Sequence, residues 1–278
     1  MSGNINFALN HMLAPQMTLD AFFGMAASME INAVEIRNDI AGNPFEQKTP
    51  AEDVKALAEK HSVEIISINA LQRFNEWSDV RLAEANELIG FAERCGSRAL
   101  VMCPVNDHDY GKSDDELAAN LRQSLTELKP LLETAGITGL VEPLGFPQCS
   151  LRRKADAVAA IRDVNGEGVF KLVHDTFHHH LAEETEFFAD QTGLMHISGV
   201  EDPDLSIAQM LDDHRLLVGE ADRLGNAAQI KTMLANGYTG HVSLEPFSPV
   251  VHALENVVDA TQASFDFLKK ELQAANAA

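Results

Sequence analysis

The sequence has few basic residues and few cysteines, and it contains no long apolar run. Its 278 residues include 21 lysines and arginines against 42 aspartates and glutamates, so the formal net charge is −21. Nucleic acids and anionic lipid surfaces bind proteins through basic side chains, so we expect neither a nucleic acid nor a membrane as partner. This charge balance favours a neutral small molecule as the ligand.

The three cysteines, Cys95, Cys103 and Cys149, are too few and too widely spaced for a disulfide framework, and they form no CxxC zinc motif. No stretch reaches the ~18 consecutive apolar residues that a membrane span requires. The first residues, MSGNINFALNH, lack the basic segment and apolar core of a signal peptide. We therefore expect a cytoplasmic protein with reduced thiols.

Apolar strand-like segments alternate with helix-like segments along the chain. Most strand candidates are continuous apolar runs, which is typical of parallel strands covered by helices. The strand candidates are residues 5–10, 33–37, 64–69, 98–104, 138–143, 170–175, 193–198 and 241–246. The helix candidates are residues 18–30, 49–61, 80–96, 113–136, 155–164, 184–192, 227–237 and 257–278.

This succession of strand-then-helix units predicts an α/β fold, a (β/α)8 TIM barrel in which residues 1–278 form a single domain. The alternative is a doubly wound open sheet, which needs a phosphate-binding glycine loop after its first strand. The corresponding segment, NHMLAPQ, contains neither GxGxxG nor GxxxxGK[ST]. The barrel is therefore the better interpretation.

Four strand candidates end in a residue that can bind a cation, namely Glu142, Asp175, His196 and Glu245. A charged side chain at the end of a buried strand is costly unless it is paired or binds a metal. In a TIM barrel the active site lies at the carboxyl ends of the strands, and these four strands are consecutive. We predict that the four side chains together hold one divalent metal ion: Mn, Zn, Co or Mg.

A metal at this position can polarise a substrate carbonyl and hold the neighbouring hydroxyl oxygen, which acidifies the proton on the carbon between them. Loss of that proton gives an ene-diolate, and its return to another carbon completes an isomerisation. Glu142 and Glu245 are the candidates for the catalytic acid and base because they would face the substrate from two sides.

Four histidines lie in the short segment 174–180. His178 follows Asp175 by three residues, and we predict that it lines the substrate pocket. His174 precedes the ligand on its strand, so we expect it to point toward the helices. His179 and His180 are expected on a loop or at the surface.

A few other polar residues are candidates for substrate binding. Arg215 lies on a long loop after His196 and could hold substrate oxygens through its forked donors. The remaining candidates lie at or just past strand ends: Asn10, His11, Asn69 and Trp77.

The pattern Glu142, Asp175-Thr176-Phe177-His178, His196 and Glu245 resembles the metal site of the xylose isomerase-like TIM-barrel superfamily of sugar isomerases and epimerases. The resemblance covers nearly the whole chain. It implies that the two glutamates, the aspartate and His196 are metal ligands, and that His178 and Arg215 contact a keto-sugar or keto-polyol. Barrels of this kind often pair through their helices, so a homodimer is also implied.

Within this superfamily, EPLGFPQCS (142–150) is similar to the corresponding segment of the inosose isomerases, which act on 2-keto-myo-inositol in inositol catabolism. HISGVED (196–202) and DHRLLVGE (213–220) are similar to them as well. The chain departs from the family at 218–221, where Val-Gly-Glu-Ala stands in place of Pro-Gly-x-Gly. The resemblance implies isomerisation of inosose.

The residues leave other activities open. The same proton transfer could serve a ketose 3-epimerase or a hydroxypyruvate-type isomerase, and loss of a β-hydroxyl group would make a keto-inositol or shikimate-type dehydratase. A non-catalytic sugar-binding barrel would not need two positioned glutamates. The endonuclease-type relatives use more histidines in a three-zinc site, and the acidity of this chain disfavours DNA.

Overall fold

The structure is a computed structural model that describes residues 5–274. Within this range eight parallel strands form a closed barrel in which each strand pairs with the next and the last pairs with the first. The strands are Phe7–Asn10 (β1), Ala33–Arg37 (β2), Glu64–Gln72 (β3), Ala99–Cys103 (β4), Thr138–Val141 (β5), Phe170–Asp175 (β6), Thr192–Ile197 (β7) and His241–Leu244 (β8). The predicted (β/α)8 barrel is confirmed.

Helices follow the strands along the chain and pack against the outside of the barrel. They are Leu19–Ser28 (α1), Ala51–His61 (α2), Asp79–Cys95 (α3), Asp114–Ala135 (α4), Lys154–Asp163 (α5), Thr176–Leu181 (α6), Asn226–Ala235 (α7), Pro249–His252 (α8) and Val257–Ala274 (α9). The part of the predicted last helix at 275–278 lies outside the described residues. No helix between residues 5 and 274 is both long and apolar enough to cross a membrane.

The prediction of a helix over residues 184–192 is wrong. This segment forms only a 3-10 turn at Ala189–Gln191. Phe188 adopts a left-handed conformation with φ of 53°, which interrupts a helix. The side chain of Glu184 instead accepts a hydrogen bond from the backbone N–H of Lys154, 2.8 Å away. The helix that follows β6 is α6, which begins directly at the strand end.

Side chains alternate between the two faces of each strand, and this alternation separates the core from the site. On β2, Val34 and Ile36 belong to the apolar core between strands and helices. The intervening Glu35 and Arg37 are buried on the opposite face, toward the inside of the barrel. Charged residues inside the barrel need partners there, and those partners form the site described next.

Candidate metal centre

The four predicted metal ligands meet at the carboxyl end of the barrel. One ligand atom each from Glu142, Asp175, His196 and Glu245 lies within 4.8 Å of all the others, and all four residues are buried. Nδ1 of His196 lies 3.0 Å from Oε1 of Glu142 and 3.2 Å from Oε2 of Glu245. Three carboxylates and one imidazole are a donor set that fits a divalent metal ion.

The strand register explains why these side chains converge. Asp175 and His196 are direct partners in the pairing of β6 with β7. Glu142 and Glu245 come immediately after β5 and β8, and the backbone N–H of each still bonds to a carbonyl of the preceding strand. Because the strands of the barrel are in parallel register, their ends present side chains at one level.

Asp175 has a second role, since it starts helix α6. Its Oδ1 accepts hydrogen bonds from the backbone N–H groups of Phe177 at 2.7 Å and His178 at 3.1 Å. This cap holds the carboxylate in place and leaves Oδ2 to the site. The same cap places the His178 ring beside the site, with its centroid 5.3 Å from that of Phe146.

Glu35 is a further buried carboxylate at the site, and it lies within β2 rather than at a strand end, so the sequence pattern did not indicate it. Its Oε2 lies 3.1 Å from Nε2 of His196. Its other partners are hydroxyl and amide donors from Asn10, Ser67, Asn69 and Ser243. Burial raises the pKa of Glu35, but His196 and the donors together hold that pKa well below its usual range. An ionised Glu35 keeps a proton on Nε2 of His196 and directs Nδ1 toward the metal ligands.

Arg37 was also missed, although the sequence carried a signal for it and for Glu35. Two charged residues alternate inside the apolar strand AVEIR, which is unusual unless both point into the barrel. Arg37 donates from Nη1 to Oε1 of Glu245 at 2.6 Å and from Nε and Nη2 to Asp39, both at 2.7 Å. It therefore holds one side of the Glu245 carboxylate.

Arg215 holds the other side of Glu245. Its Nη2 lies 2.9 Å from Oε2 of Glu245 and 2.6 Å from Oδ2 of Asp175, and the residue is only 1% exposed. The guanidinium carbon lies 4.5 Å from the centroid of the Phe247 ring and 5.2 Å from that of Phe177. Two carboxylates and two aromatic rings thus fix the orientation of this arginine.

A close backbone approach brings Arg215 into the barrel mouth. Gly199 and Leu216 form an antiparallel bridge with both N–H to O distances at 2.7 Å. A Cβ atom at position 199 would lie 2.6 Å from the carbonyl oxygen of Leu217, so only glycine allows this approach. The departure from Pro-Gly-x-Gly at 218–221 leaves Arg215 at the site.

Opposing electrostatic effects act on the site. Burial lowers the pKa of His196, but the surrounding carboxylates, Glu245 foremost, raise that pKa well above its ordinary value. Burial raises the pKa of Glu245 to about 7, against the lowering effects of His196 and the two arginines. The carboxylates thus favour the protonated form of His196, and burial favours the protonated form of Glu245.

A cavity of about 390 Å³ opens onto the candidate metal centre at Glu142, Glu245 and Arg215. Among the predicted site residues, its lining includes Glu142, Glu245, His178, Arg215 and Asn69. The lining also includes Arg37, Asp39, Cys103, Phe146 and Phe247, none of which the sequence had indicated as a site residue. The walls carry charges of both signs and many hydrogen-bonding groups, which suits a polar, multiply hydroxylated ligand.

His11 and Trp77 do not line this cavity. The Nε2 atom of His11 lies 3.0 Å from the carbonyl oxygen of Met17, and its ring stacks on Phe22. Trp77 is half-buried against the hydrophobic core. Asn69 does line the cavity, and its amide donates to Glu35 at 2.8 Å.

The remaining histidines of the 174–180 segment lie behind the site. His174 faces the helices as predicted, with Nε2 at 2.9 Å from Oε1 of Gln229 on α7. The expectation that His179 lies on a loop or at the surface is wrong, because α6 buries it with Nδ1 at 2.6 Å from Nζ of Lys154. His180 is half-buried on the same helix.

Comparison with known proteins places the fold in a described family. The model of the xylose isomerase-like TIM barrel family matches residues 23–271. Inosose isomerase from Bacillus licheniformis is 27% identical over 74% of this chain and 76% of its own length. Inosose isomerase from Bacillus subtilis is also 27% identical, over 74% and 76% of the two chains.

Solved structures agree with this comparison. A xylose isomerase domain containing protein from Salmonella typhimurium LT2 is 32% identical, with a TM-score of 0.85 over 98% of this chain and 99% of that one. The IolI protein with a bound zinc atom is 22% identical and has a TM-score of 0.83, over 96% of this chain and 99% of that one. At that identity, the second likeness concerns the fold alone.

Proposed function

We propose that this chain, which belongs to the xylose isomerase-like TIM barrel family, is a metal-dependent isomerase of 2-keto-myo-inositol (inosose). The observation that carries the proposal is the buried convergence of Glu142, Asp175, His196 and Glu245 next to a polar cavity. The relatives named inosose isomerase support the choice of substrate.

The site residues fit one divalent cation. One ligand atom each would come from Glu142, Asp175, His196 and Glu245. Glu35 would hold the proton on Nε2 of His196, so that Nδ1 faces the cation. When bound, the cation would polarise the ketone and the adjacent hydroxyl group and so acidify the carbon-bound proton between them. Zn, Mn, Co and Mg all suit this donor set.

Glu142 and Glu245 are the proposed proton carriers, because both line the cavity. One takes the proton from the hydroxyl-bearing carbon, and the electron pair of that C–H bond forms the ene-diolate. A proton is then delivered to the former carbonyl carbon, while the hydroxyl proton moves to the former carbonyl oxygen. Nothing is oxidised or reduced overall, since ketone and alcohol exchange places.

The surrounding residues hold the substrate and the bases. Arg37 and Arg215 donate hydrogen bonds to opposite oxygens of Glu245, so this carboxylate cannot turn away from the cavity. Nδ1 of His178 is buried and has no partner within the described residues, which leaves it available to a substrate hydroxyl group. Arg215 lies between the ligand carboxylates and the cavity and can also contact a substrate oxygen.

Proton NMR of the Zn²⁺-loaded protein with 2-keto-myo-inositol in D₂O tests the proposal. We expect conversion to an isomeric keto-inositol with deuterium incorporation, and its loss in Glu142→Gln, in Glu245→Gln and after chelation. The exposed Glu167→Gln variant is the matched control and should remain active. Full activity of both site variants would overturn the assigned roles. If the metal-loaded protein incorporates no deuterium into 2-keto-myo-inositol, the substrate assignment is overturned.

A further inference from the structure

A second cavity lies beside the catalytic cavity and has a different chemical character. Its volume is about 380 Å³. In the described part of the chain, no Asp, Glu, Lys or Arg is among its lining residues. Its walls are mainly apolar: Phe146, Pro147, Leu181, Ile207, Met210 and Leu211. In a chain with a net charge of −21, an uncharged cavity at the mouth of the barrel selects for an apolar group.

The two cavities are neighbours along the rim of the barrel. Phe146 lines both of them. Asp107 lines the catalytic cavity and its neighbour His108 lines the second one. In the same way, Asp212 lines the catalytic cavity and Leu211 lines the second. Residues of three loops therefore contribute to both cavities, which places the second cavity beside the first.

Phe146 lies at the boundary between the polar catalytic cavity and the apolar second cavity. Its ring centroid lies 5.3 Å from that of His178, which faces the catalytic cavity. Leu211, which also lines the second cavity, is 55% exposed although it is a large apolar residue. Phe146 gives a ligand in the second cavity an aromatic neighbour, and an aryl group packs favourably against such a ring.

We propose that the second cavity is a substrate subsite for an aryl substituent. The preferred substrate would then be a keto-polyol or keto-sugar ring that carries an aryl ether or glycoside, rather than the free ring. This inference rests on the proposed function, because it assumes that the catalytic cavity holds the keto-polyol. The polar ring lies over the candidate metal ligands, and the aryl group lies against Phe146, Ile207 and Leu211.

The test compares myo-inositol with its mono-O-benzyl ethers, which lack the ketone and cannot react. Dissociation constants are measured by calorimetry on the Zn²⁺-loaded protein. We expect at least one benzyl ether to bind on the order of tenfold more tightly than myo-inositol, because the ring buries apolar surface. Ala208→Trp, which fills the cavity from an exposed position, should abolish this gain, and Leu211→Ser should reduce it. The control is Leu234→Ser, since Leu234 is an exposed leucine on α7.

Each outcome separates the subsite from the proposed function. Equal affinities for all ligands, or a benzyl gain that survives Ala208→Trp, would overturn the subsite even if 2-keto-myo-inositol is isomerised. A benzyl gain that Ala208→Trp removes would support the subsite even if 2-keto-myo-inositol is not converted. If Ala208→Trp changes the sedimentation coefficient but not the affinity ratio, the surface contacts a second copy of the chain and the subsite is overturned.

Discussion

Glu35 and His196 meet across the inside of the barrel, with Oε2 of the glutamate 3.1 Å from Nε2 of the imidazole. Glu35 comes from β2 and His196 from β7, and both residues are fully buried. The other ring nitrogen faces the carboxylates of Glu142 and Glu245. This contact decides which nitrogen of His196 is available to a metal ion, so a residue distant in sequence controls the candidate site.

Replacement of Glu35 by Gln should weaken metal binding by roughly 10–100-fold, as is typical for loss of an outer carboxylate partner. The amide cannot hold the Nε2 proton of His196 as firmly, so the imidazole loses its fixed tautomer. Competition with a chelator measures the affinity, and circular dichroism checks the fold. The exposed Glu167→Gln variant serves as control. An unchanged metal affinity would mean that Glu35 has only a structural role.

Metal affinity should rise with pH through the neutral range. The neighbouring carboxylates raise the pKa of His196, so its ring keeps a second proton at a pH where a free histidine has lost it. Nδ1 must lose this proton before it binds a metal, so binding releases a proton and strengthens by up to about tenfold per pH unit. Calorimetry in two buffers of different ionisation enthalpy counts the protons. A count of zero would contradict this electrostatic account.

Arg215→Ala should destabilise the metal-free protein by roughly 3–5 kcal/mol, because Asp175 and Glu245 would lose a buried partner. Urea unfolding with and without excess Zn²⁺ measures the effect. Added metal should recover part of the loss, since the cation neutralises the same carboxylates. Equal destabilisation with and without Zn²⁺ would show that Arg215 does not stabilise the protein through the candidate metal ligands.

The same variant should raise the Michaelis constant for the substrate more than it lowers the metal content, because Arg215 lines the cavity. Steady-state kinetics together with metal analysis of the purified protein provide the comparison. An unchanged Michaelis constant would show that Arg215 acts on the carboxylates alone.

Gly199→Ala should reduce kcat/KM strongly, on the order of a hundredfold, because a small displacement of a positioning group is costly. The added Cβ would lie 2.6 Å from the carbonyl oxygen of Leu217 and would push away the loop segment that carries Arg215. Gly168→Ala is the matched control, since a Cβ there meets nothing within 4 Å. Equal activity of the two variants would show that the bridge between Gly199 and Leu216 does not position Arg215.

Much of the architecture could be predicted from local patterns. Apolar runs of strand length alternate with segments of helical period, and this order is enough to predict the barrel. Glu142, Asp175, His196 and Glu245 could be grouped in advance because consecutive strands of a barrel are neighbours in space. Segment 184–192 was misread because a helical pattern does not reveal the left-handed Phe188 or the contact between Glu184 and Lys154.

The other site residues could not be predicted because their position depends on closure of the barrel. Glu35 and Arg37 become part of the site only because the closed sheet brings β2 within reach of His196 on β7 and Glu245 after β8. His11 lies just after a strand end, but its ring bonds to the Met17 carbonyl, and nothing in the local sequence distinguishes it from a cavity residue. Local sequence specifies secondary structure and the direction of side chains, whereas contacts across the barrel depend on the register of all eight strands at once.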